Sequence, residues 1–540
     1  MALRGFEEED QKPYKDQGIK KYFDIHRPVF WPSVILIAMM IVYTLSLGNQ
    51  AEDIFESLQT YISNQAGWLF VLSVNIFIVF SLSIAFSKYG NIRLGGEGAT
   101  TDFSTLAWFA MLFSAGMGIG IMFWSVAEPV FHYHSPPMAE AETAGAAREA
   151  MNLTYLHWGF HAWAIYAVVA LALAFFAFNR KLPLSFRSVF YPLLGDRIKG
   201  WMGDLIDILA VLATLFGLAT SLGLGVLQVS AGLQHLFDFP DNIWLQVGLI
   251  FGITLIATIS VVLGIDRGVR VLSEFNIRVA GLFLLFMLFV GPTVFILNSF
   301  VQNFGTYANS IMTFSFWTEA YTDGEWQNSW TLFYWAWWIS WSPYVGMFIA
   351  RISKGRTVRE FILGVLIVPS LLTFLWMSAF GGSALQLEIA GIGNIGEAVQ
   401  ENVATALFIL LEQFPLTLIT SLTAIVLVLS FFVTSSDSGS LVIDGLTSGG
   451  KLDAPVGQRI FWAQTEGLVA AVLLIGGGLG ALQAAAISTG LPFTLVLLVM
   501  CYSLYKGLKI EHRQNLEKIK QKERESYVEL INKTKEDNNS

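Results

Sequence analysis

Twelve apolar runs, each long enough to cross a lipid bilayer, constrain the fold of this chain more than any other feature. A helix needs about 20 mostly apolar residues to span the hydrocarbon core, because each residue adds about 1.5 Å. Backbone polar groups must be paired inside the protein at that depth, so such runs form helices. The runs cover approximately residues 30–48, 68–87, 106–127, 154–178, 205–233, 243–264, 279–297, 331–350, 361–380, 416–436, 460–479 and 484–505. We therefore predict an all-α membrane protein with twelve transmembrane helices.

The composition supports a membrane protein. Of the 540 residues, 54% are hydrophobic and only 14% are charged, whereas soluble domains carry about 25% charged residues. The first apolar run has no small-residue cleavage pattern, so we expect an uncleaved first span rather than a signal peptide. The single cysteine, Cys501, allows no intrachain disulfide. We expect membrane lipid as the surroundings and no nucleic-acid partner.

The placement of Lys and Arg predicts the orientation of the spans. If the N-terminus is cytoplasmic, every Lys and Arg between the spans and in the tails falls on the cytoplasmic side except Arg148. Cytoplasmic loops of membrane proteins are enriched in these residues. We therefore predict a multi-pass protein of the plasma membrane, the inner membrane where there are two, with both termini in the cytoplasm. Losing or gaining one span would scramble this asymmetry, which also supports the count.

A tryptophan-rich stretch marks the eighth apolar run, where four tryptophans fall within seven residues. On a helix with about 100° per residue, Tyr334, Trp337, Trp338 and Trp341 share one face. These rings extend two turns into the span, which argues against an aromatic belt at one membrane interface. Two interpretations remain open from these residues alone. The rings pack between helices, or they form a cage for a quaternary ammonium group, whose charge is attracted by indole faces.

Alternating glycines, Gly116, Gly118 and Gly120, interrupt the third apolar run. Each costs a helix interior about 1 kcal/mol relative to alanine. Within the bilayer a broken helix is tolerated only where it is buried in protein or lines a cavity. Such a break leaves backbone amides and carbonyls free to bind an ion or a carboxylate. Close packing of helices at small residues is the alternative.

The end of the tenth run carries hydroxyl groups, among them Thr434 and Ser435. Hydroxyl and carbonyl oxygens suit a small hard cation such as Na⁺, although Ser and Thr also bond back to their own helix. A similar stretch, Thr220 to Gly225, lies five spans earlier, and the glycine break lies five spans before the Trp-Ser-Pro kink expected in the eighth span. An odd spacing of five inverts topology, so this placement predicts two inverted five-helix repeats.

The fourth run adds a second aromatic group, His157, Trp158, Trp163 and Tyr166. On one continuous helix these residues fall within about 140° of arc and could share a wide face. We expect His157 to be packed and hydrogen-bonded rather than to carry protons. An acid at membrane depth is a functional candidate by default; the alternative for Glu128, which is followed by proline, is that it simply marks the end of the third helix.

Taken together, these segments resemble the betaine/choline/carnitine transporter family. The resemblance covers about residues 20 to 505 and is carried by four stretches, Gly116 to Pro129, His157 to Tyr166, Tyr334 to Arg359 and Phe431 to Ser438. It implies twelve transmembrane helices with a five-plus-five inverted-repeat core of the neurotransmitter:sodium symporter type. It also implies a homotrimer and a role in osmoprotection. The tail is less basic than the osmosensing tails of some family members, which argues against regulation of that kind.

The resemblance also implies two binding sites. For the substrate it implies an aromatic box of Trp158, Trp163, Tyr166, Trp338 and Trp341, with Trp337 nearer the cytoplasmic path. The unwound segment containing Gly116, Met117, Gly118 and Gly120 borders this box. For Na⁺, the coupling ion, it implies backbone ligands at Ala115 and Met117, the Phe431 carbonyl, and the hydroxyls of Thr434 and Ser435.

Gly120 narrows the range of expected substrates, because choline-specific family members tend to carry aspartate at this position. Choline is a net cation and gains from a counter-charge, so glycine favours a zwitterion such as glycine betaine. No Lys or Arg neighbours Gly116 or Thr434 in the sequence, which favours coupling to sodium. Choline, carnitine exchange, dimethylsulfoniopropionate and proton coupling remain alternatives. A channel would need a continuous hydrophilic pore, and seven scattered histidines with one cysteine indicate no enzyme.

The predicted organisation divides the chain into six parts. Two outer segments, Val301 to Trp326 and Leu385 to Gln400, mix apolar and acidic residues and are expected along the membrane interface or in ordered loops. The tail from Glu511 alternates basic and acidic residues, which predicts a solvated helix. The parts are a cytoplasmic arm (1–28), two helices outside the core (29–100), the first repeat (101–300), an outer amphipathic segment (301–330), the second repeat (331–508) and a cytoplasmic tail (509–540).

Overall fold

The computed structural model describes residues 22–116, 118–263, 265–322, 324–451 and 455–537. Within these ranges the chain is helical, and the one β-type pairing is an isolated antiparallel bridge between Arg93 and Thr357. The α-helices are α1 (Arg27–Leu47), α2 (Ala51–Phe86), α3 (Thr105–Gly116), α4 (Ile119–His134), α5 (Ala144–Trp158), α6 (Phe160–Phe178), α7 (Phe186–Val189), α8 (Tyr191–Leu194), α9 (Trp201–Phe237), α10 (Ile243–Leu263), α11 (Ile265–Val290), α12 (Thr293–Ser315), α13 (Glu325–Ser329), α14 (Thr331–Ile352), α15 (Val358–Met377), α16 (Ser383–Ile389), α17 (Ile395–Glu401), α18 (Ala406–Glu412), α19 (Thr417–Thr447) and α20 (Val456–Asp537). The predicted all-α class is confirmed for these residues.

Nine helical segments of the described chain are long and apolar enough to cross a membrane. The third predicted span forms the two shorter helices α3 and α4, of 12 and 16 residues. The eighth predicted span forms α14, which is rich in Trp, Tyr and Ser. These residues lower its mean hydropathy, so α14 is not among the nine. The last two predicted spans lie together in α20, which kinks at Gly477 and Gly478. The count of twelve and the repeated core therefore remain predictions.

Two predicted span ends are wrong. The seventh apolar run, 279–297, crosses a break, because α11 ends at Val290 and α12 begins at Thr293. Pro292 in the intervening turn has no backbone N–H and cannot continue the helix. The outer segment predicted from Val301 thus belongs to a helix that starts eight residues earlier. Likewise, α15 continues through a π-helical turn into α16, so the segment predicted from Leu385 begins inside the ninth helix.

Two of the central helices are interrupted by glycine. The predicted break of the third span is present, with α3 ending at Gly116 and Gly118 extended at φ −163° and ψ −169°. A second break, which the sequence analysis missed, separates α5 from α6 at Gly159. A Cβ there would lie 2.5 Å from the Tyr155 carbonyl oxygen and 2.7 Å from the Phe374 ring. The continuous helical face predicted from His157 to Tyr166 is therefore wrong.

The core is built where α14 packs against α6, α9 and α20. In the most apolar part of α5–α6, 89% of residues are buried, compared with 28% in α1 and 22% in α11. The aromatic helices thus lie at the centre of the molecule. The peripheral helices leave apolar side chains exposed, as contact with lipid requires.

Loops predicted on the cytoplasmic side contact one another. Lys451 pairs with Asp24 at 2.7 Å, and Arg180 pairs with Glu511 at 2.9 Å. The structure thus joins the N-terminal arm to the loop at Lys451 and the loop at Arg180 to the C-terminal tail, while the side of the membrane remains a prediction. The tail is helical to Asp537 and exposed over residues 516–532, which confirms the predicted solvated helix.

Candidate functional site

The aromatic face of α14 lies inside the protein. Tyr334, Trp337, Trp338 and Trp341 are all buried, with at most 7% of each residue exposed. An aromatic belt in contact with lipid is therefore excluded for these four residues. The interpretations left are packing and a ligand cage.

Pro343, where a kink is expected, lies inside α14, and the helix continues past it to Ile352. Proline leaves the carbonyl four residues earlier without its usual N–H partner. That carbonyl belongs to Ile339, and the Ser342 hydroxyl donates to it at 2.7 Å. The Ser-Pro pair thus keeps the backbone satisfied in the middle of a buried helix.

All five residues of the predicted aromatic box come together. The Trp338 ring lies 4.9 Å from Trp158, 6.3 Å from Tyr166 and 6.5 Å from Trp341, measured between ring centroids. Tyr166 in turn lies 6.3 Å from Trp341 and 5.5 Å from Trp163. The rings belong to α5, α6 and α14, so three helices form the cluster.

Trp337 adjoins the box, and its ring lies 6.3 Å from that of Trp158. Its ring stacks on Trp338 at 4.6 Å with an interplanar angle of 16°. Its Nε1 donates to the Ser221 hydroxyl of α9 at 3.3 Å. Trp337 therefore supports Trp338 and links the cluster to the fifth predicted span.

The unwound glycine segment borders the same rings. A Cβ at Gly120 would lie 2.5 Å from Cη2 of Trp337 and 3.1 Å from Cη2 of Trp158, so only glycine fits against these rings as they stand. A Cβ at Gly118 would lie 3.8 Å from Trp341. Gly116 is the last residue of α3, and Met117 lies outside the described residues.

Several hydrogen-bond donors beside the aromatic box and the glycine segment have no protein partner within the described part of the chain. The Tyr166 hydroxyl and the Trp341 Nε1 are buried and unpaired. Gly118 caps α4 without a side-chain hydrogen bond, and the first amides of a helix have no acceptor within that helix. Buried unpaired donors are unusual in proteins and need a partner such as a ligand.

The predicted sodium ligands lie on two helices. Ala115 is in the last turn of α3, and Phe431, Thr434 and Ser435 lie on α19, which packs against α4. The Thr434 hydroxyl donates to the carbonyls of Ser430 and Phe431 at 3.0 and 3.1 Å, as the alternative reading expected. Asn276 Nδ2 donates to this hydroxyl oxygen at 3.4 Å, and the second lone pair of the oxygen could bind a cation. The sodium site itself remains a prediction.

A buried carboxylate, for which a functional role and a helix end were the two alternatives, bonds to several residues around the cluster. Glu128 is fully buried, and α4 continues past it to His134, so the helix-end alternative is wrong. Its Oε2 accepts hydrogen bonds from Trp158 Nε1 at 2.7 Å and from the Tyr334 hydroxyl at 2.5 Å. Its Oε1 lies 2.6 Å from Nδ1 of His157. This one side chain thus connects α4, α5 and α14.

The geometry around Glu128 fits a hydrogen-bonded network better than a metal site. Ligand-type atoms of Glu128, His132 and His157 lie within 4.8 Å of one another. Two ligands of one tetrahedral ion, each at about 2.0–2.1 Å, lie about 3.3 Å apart. The 2.6 Å contact between His157 and Glu128 is shorter and is a hydrogen bond. His157 also contacts the Thr331 hydroxyl at 2.9 Å, so it is packed and bonded as predicted.

Comparison with known proteins identifies the family of this chain. Residues 28–513 match the family model of the betaine/carnitine/choline family transporters. Glycine betaine transporter 1 of Vibrio parahaemolyticus is 52% identical over 515 residues, which are 92% of this chain and 97% of that protein. The glycine betaine transporter OpuD of Bacillus subtilis is 45% identical over 489 residues, which are 90% of this chain and 95% of that protein.

A further relative carries a broader description. The glycine betaine/proline/choline/ectoine transporter of Vibrio parahaemolyticus is 49% identical over 516 residues, which are 93% of this chain and 90% of that protein. The family match spans nearly the whole chain, and these relatives are all well above 30% identity. The chain therefore belongs to the betaine/carnitine/choline family and is a multi-pass membrane transporter, not an enzyme.

Proposed function

We propose that this transporter imports glycine betaine together with Na⁺ by alternating access. The observation that carries the proposal is the buried cluster of Trp158, Trp163, Tyr166, Trp338 and Trp341 beside the uncapped start of α4. Indole and phenol faces attract a quaternary ammonium group, which offers no hydrogen-bond donor of its own. Relatives at 52% and 45% identity are described as glycine betaine transporters, which supports this substrate.

The carboxylate of the substrate has suitable partners at the same place. The unpaired Tyr166 hydroxyl and Trp341 Nε1 are donors. The N-terminus of α4, a helix of 16 residues, adds free amides and the positive end of the helix dipole. A zwitterion would therefore place its onium group among the rings and its carboxylate toward Gly118.

Sodium coupling follows from the charge of that carboxylate. In this proposal Na⁺ binds the backbone oxygens of Ala115 and Met117, the Phe431 carbonyl and the hydroxyls of Thr434 and Ser435. No Lys or Arg neighbours these segments in the sequence, so a bound cation supplies the missing charge. Each positive charge entering along the membrane potential contributes about 2.3 kcal/mol per 100 mV to the driving force.

Gly120 supports a zwitterion over choline. A Cβ at this position would overlap Trp337, so position 120 offers no acidic side chain for direct contact with a net cation. The nearby Glu128 carboxylate is already bonded to His157, Trp158 and Tyr334. The relative named for glycine betaine, proline, choline and ectoine makes a broader substrate range the second candidate. Carnitine and dimethylsulfoniopropionate belong in the same test panel.

We further propose a plasma-membrane location with both termini in the cytoplasm and a homotrimeric assembly that serves osmoprotection. The asymmetry of Lys and Arg supports the orientation. The trimer and the osmoprotective role rest on the family resemblance.

Uptake of radiolabelled glycine betaine into proteoliposomes tests the function. We expect uptake with an inward Na⁺ gradient and little uptake when K⁺ replaces Na⁺ at the same membrane potential. Counterflow against unlabelled betaine distinguishes a carrier from a channel. Uptake that ignores the Na⁺ gradient would refute the coupling, and absence of betaine uptake or binding would refute the substrate.

A further inference from the structure

We propose that Glu128 is a positioning residue that tunes the aromatic cage for a positively charged head group without touching the substrate. Its carboxylate accepts hydrogen bonds from Trp158, a member of the cage, and from Tyr334, which packs against the cage. This inference rests on the proposed function, because it concerns how the same cage recognises an onium group. It adds a residue to which neither the family resemblance nor the relatives' names assign a role.

The hydrogen bonds indicate that Glu128 is present as a carboxylate. The Trp158 indole nitrogen can only donate a hydrogen bond. The Tyr334 hydroxyl bonds to the same oxygen, Oε2, while His157 Nδ1 approaches Oε1 and His132 Nε2 lies 3.5 Å from it. A buried carboxylate is tolerated when donors surround it in this way. A negative charge is thus held at the wall of the cage.

The carboxylate makes the rings better partners for a cation. Hydrogen bonds in series polarise one another, so a bond from the indole N–H to an anion shifts electron density into the ring. Attraction between a ring face and a cation is electrostatic and strengthens as the face becomes more negative. Trp158 is itself a ring of the cage and lies 4.9 Å from Trp338, so the polarised ring can face the substrate directly. An uncharged head group of the same shape gains nothing from this effect.

The same network sets the positions of two cage rings. Trp158 is the last residue of α5, before the break at Gly159, and its indole is anchored by Glu128 of α4. The Trp338 indole donates to the backbone carbonyl of His157 at 2.8 Å. A purely structural role for Glu128 would therefore affect charged and uncharged ligands alike. The electrostatic role would affect charged ligands selectively.

The ligand pair that separates these roles is glycine betaine and 3,3-dimethylbutyrate. The second compound has a neutral tert-butyl group in place of trimethylammonium and keeps the carboxylate. The affinities of the purified, full-length transporter for both are measured in saturating Na⁺ by competition with radiolabelled betaine. We expect Glu128→Gln to weaken betaine binding about fivefold or more, because the rings remain and only the part of the cation–π attraction that depends on the nearby charge is lost. The affinity for 3,3-dimethylbutyrate should change less than about threefold.

The matched control is Glu388→Gln. Glu388 also pairs with a histidine, His134 at 2.9 Å, and accepts from the Gly396 amide at 2.9 Å, but it lies outside the cage. This variant should keep the wild-type ratio of the two affinities. Should Glu128→Gln fail to fold, Tyr334→Phe removes one donor to the carboxylate and leaves the ring. In that variant Oε2 accepts from Trp158 alone, so the carboxylate still polarises the cage ring and the affinity for betaine should be kept or rise relative to that for the isostere.

Each outcome has a distinct meaning. Equal weakening of both ligands in the folded Glu128 variant would show a structural role and overturn the inference, as would unchanged affinity for betaine. A wild-type protein that binds no betaine would refute the proposed function instead. It is possible to test the proposal even when 3,3-dimethylbutyrate does not displace radiolabelled betaine from the wild-type protein. In that case a double-mutant cycle of Glu128→Gln and Tyr334→Phe, measured on betaine affinity, shows whether the two residues act together. Additive effects in that cycle would overturn the proposal.

Discussion

The indole N–H of Trp158 donates a 2.7 Å hydrogen bond to the Glu128 carboxylate, which lies 30 positions earlier on a different helix. Trp158 ends α5, and Gly159 separates it from α6. The ring therefore sits at a helix end, where its position depends on the partner across the interface. The cage of this transporter is thus assembled from a helix break and a buried acid as well as from aromatic rings.

Replacing Trp338 with leucine should weaken glycine betaine binding severely while the protein still folds. Trp338 contacts Trp158, Tyr166 and Trp341, so its loss removes a central ring face. We expect the Kd to rise about tenfold or more, measured by ligand binding, with size-exclusion chromatography as the check on folding. Trp376→Leu is the control, because Trp376 is an equally buried ring on α15. That variant should lower the Tm without a matching change in Kd; unchanged affinity in Trp338→Leu would indicate that the rings only pack.

Gly120→Asp should shift substrate preference toward choline only when space is made for the new side chain. A Cβ at this position lies 2.5 Å from the distal ring of Trp337, so the single variant should transport poorly. Adding Trp337→Phe shortens the opposing ring and should restore transport, now with choline favoured over betaine relative to wild type. Competition of both substrates for uptake measures the preference. If the double variant keeps the wild-type profile, Gly120 does not set the charge of the substrate.

Removing the Thr434 hydroxyl should raise the Na⁺ concentration needed for betaine uptake. Thr434→Ala would delete one proposed oxygen ligand, and the half-saturating Na⁺ concentration should rise about fivefold or more. Betaine affinity at saturating Na⁺ should change much less. Ser440→Ala on the same helix is the control, because that buried hydroxyl bonds to the backbone carbonyl of Asp437 at 2.9 Å. Equal Na⁺ dependence in both variants would remove Thr434 from the sodium site.

Substituting Gly159 with alanine should destabilise the protein and damage the cage. The added Cβ would approach a backbone oxygen at 2.5 Å, which cannot rotate away, and the Phe374 ring at 2.7 Å. Overpacking of this kind costs about 1–3 kcal/mol, and Trp158 is the adjacent residue. We expect a lower Tm and weaker betaine binding. Gly305→Ala is the control, since a Cβ on that exposed helix meets nothing within 4 Å, and a wild-type Tm for both variants would contradict the role of Gly159.

Features that depend on neighbouring residues were predicted correctly from the sequence. The apolar runs predicted helices, and the alternation of Gly116, Gly118 and Gly120 predicted the break that separates α3 from α4. The spacing of Tyr334, Trp337 and Trp338 predicted a shared face, and the structure buries all three. The five box residues named from the family resemblance also come together. Helix propensity and periodicity are local properties, so a single sequence contains them.

The predictions that failed did so for two different reasons, one local and one involving a distant partner. Pro292 ended a helix inside an apolar run that hydropathy alone reads as continuous. Glu128 before a proline could mark a helix end, yet α4 continues to His134, and donors from two other helices satisfy the buried carboxylate. An acid within a predicted span was the available signal, but its partners were not visible in the spacing.

By itself, then, the sequence determined that this chain is helical, belongs in a membrane, is interrupted by glycine and is lined with aromatic residues along one central helix. Only the tertiary structure decided which rings meet, that Gly159 divides α5 from α6, and that Glu128 bonds to Trp158 and Tyr334. The physical reason is the range of the forces involved. Hydropathy and backbone conformation act between neighbours in the chain, whereas hydrogen bonds to a buried charge and close packing at glycine join helices that the sequence keeps apart.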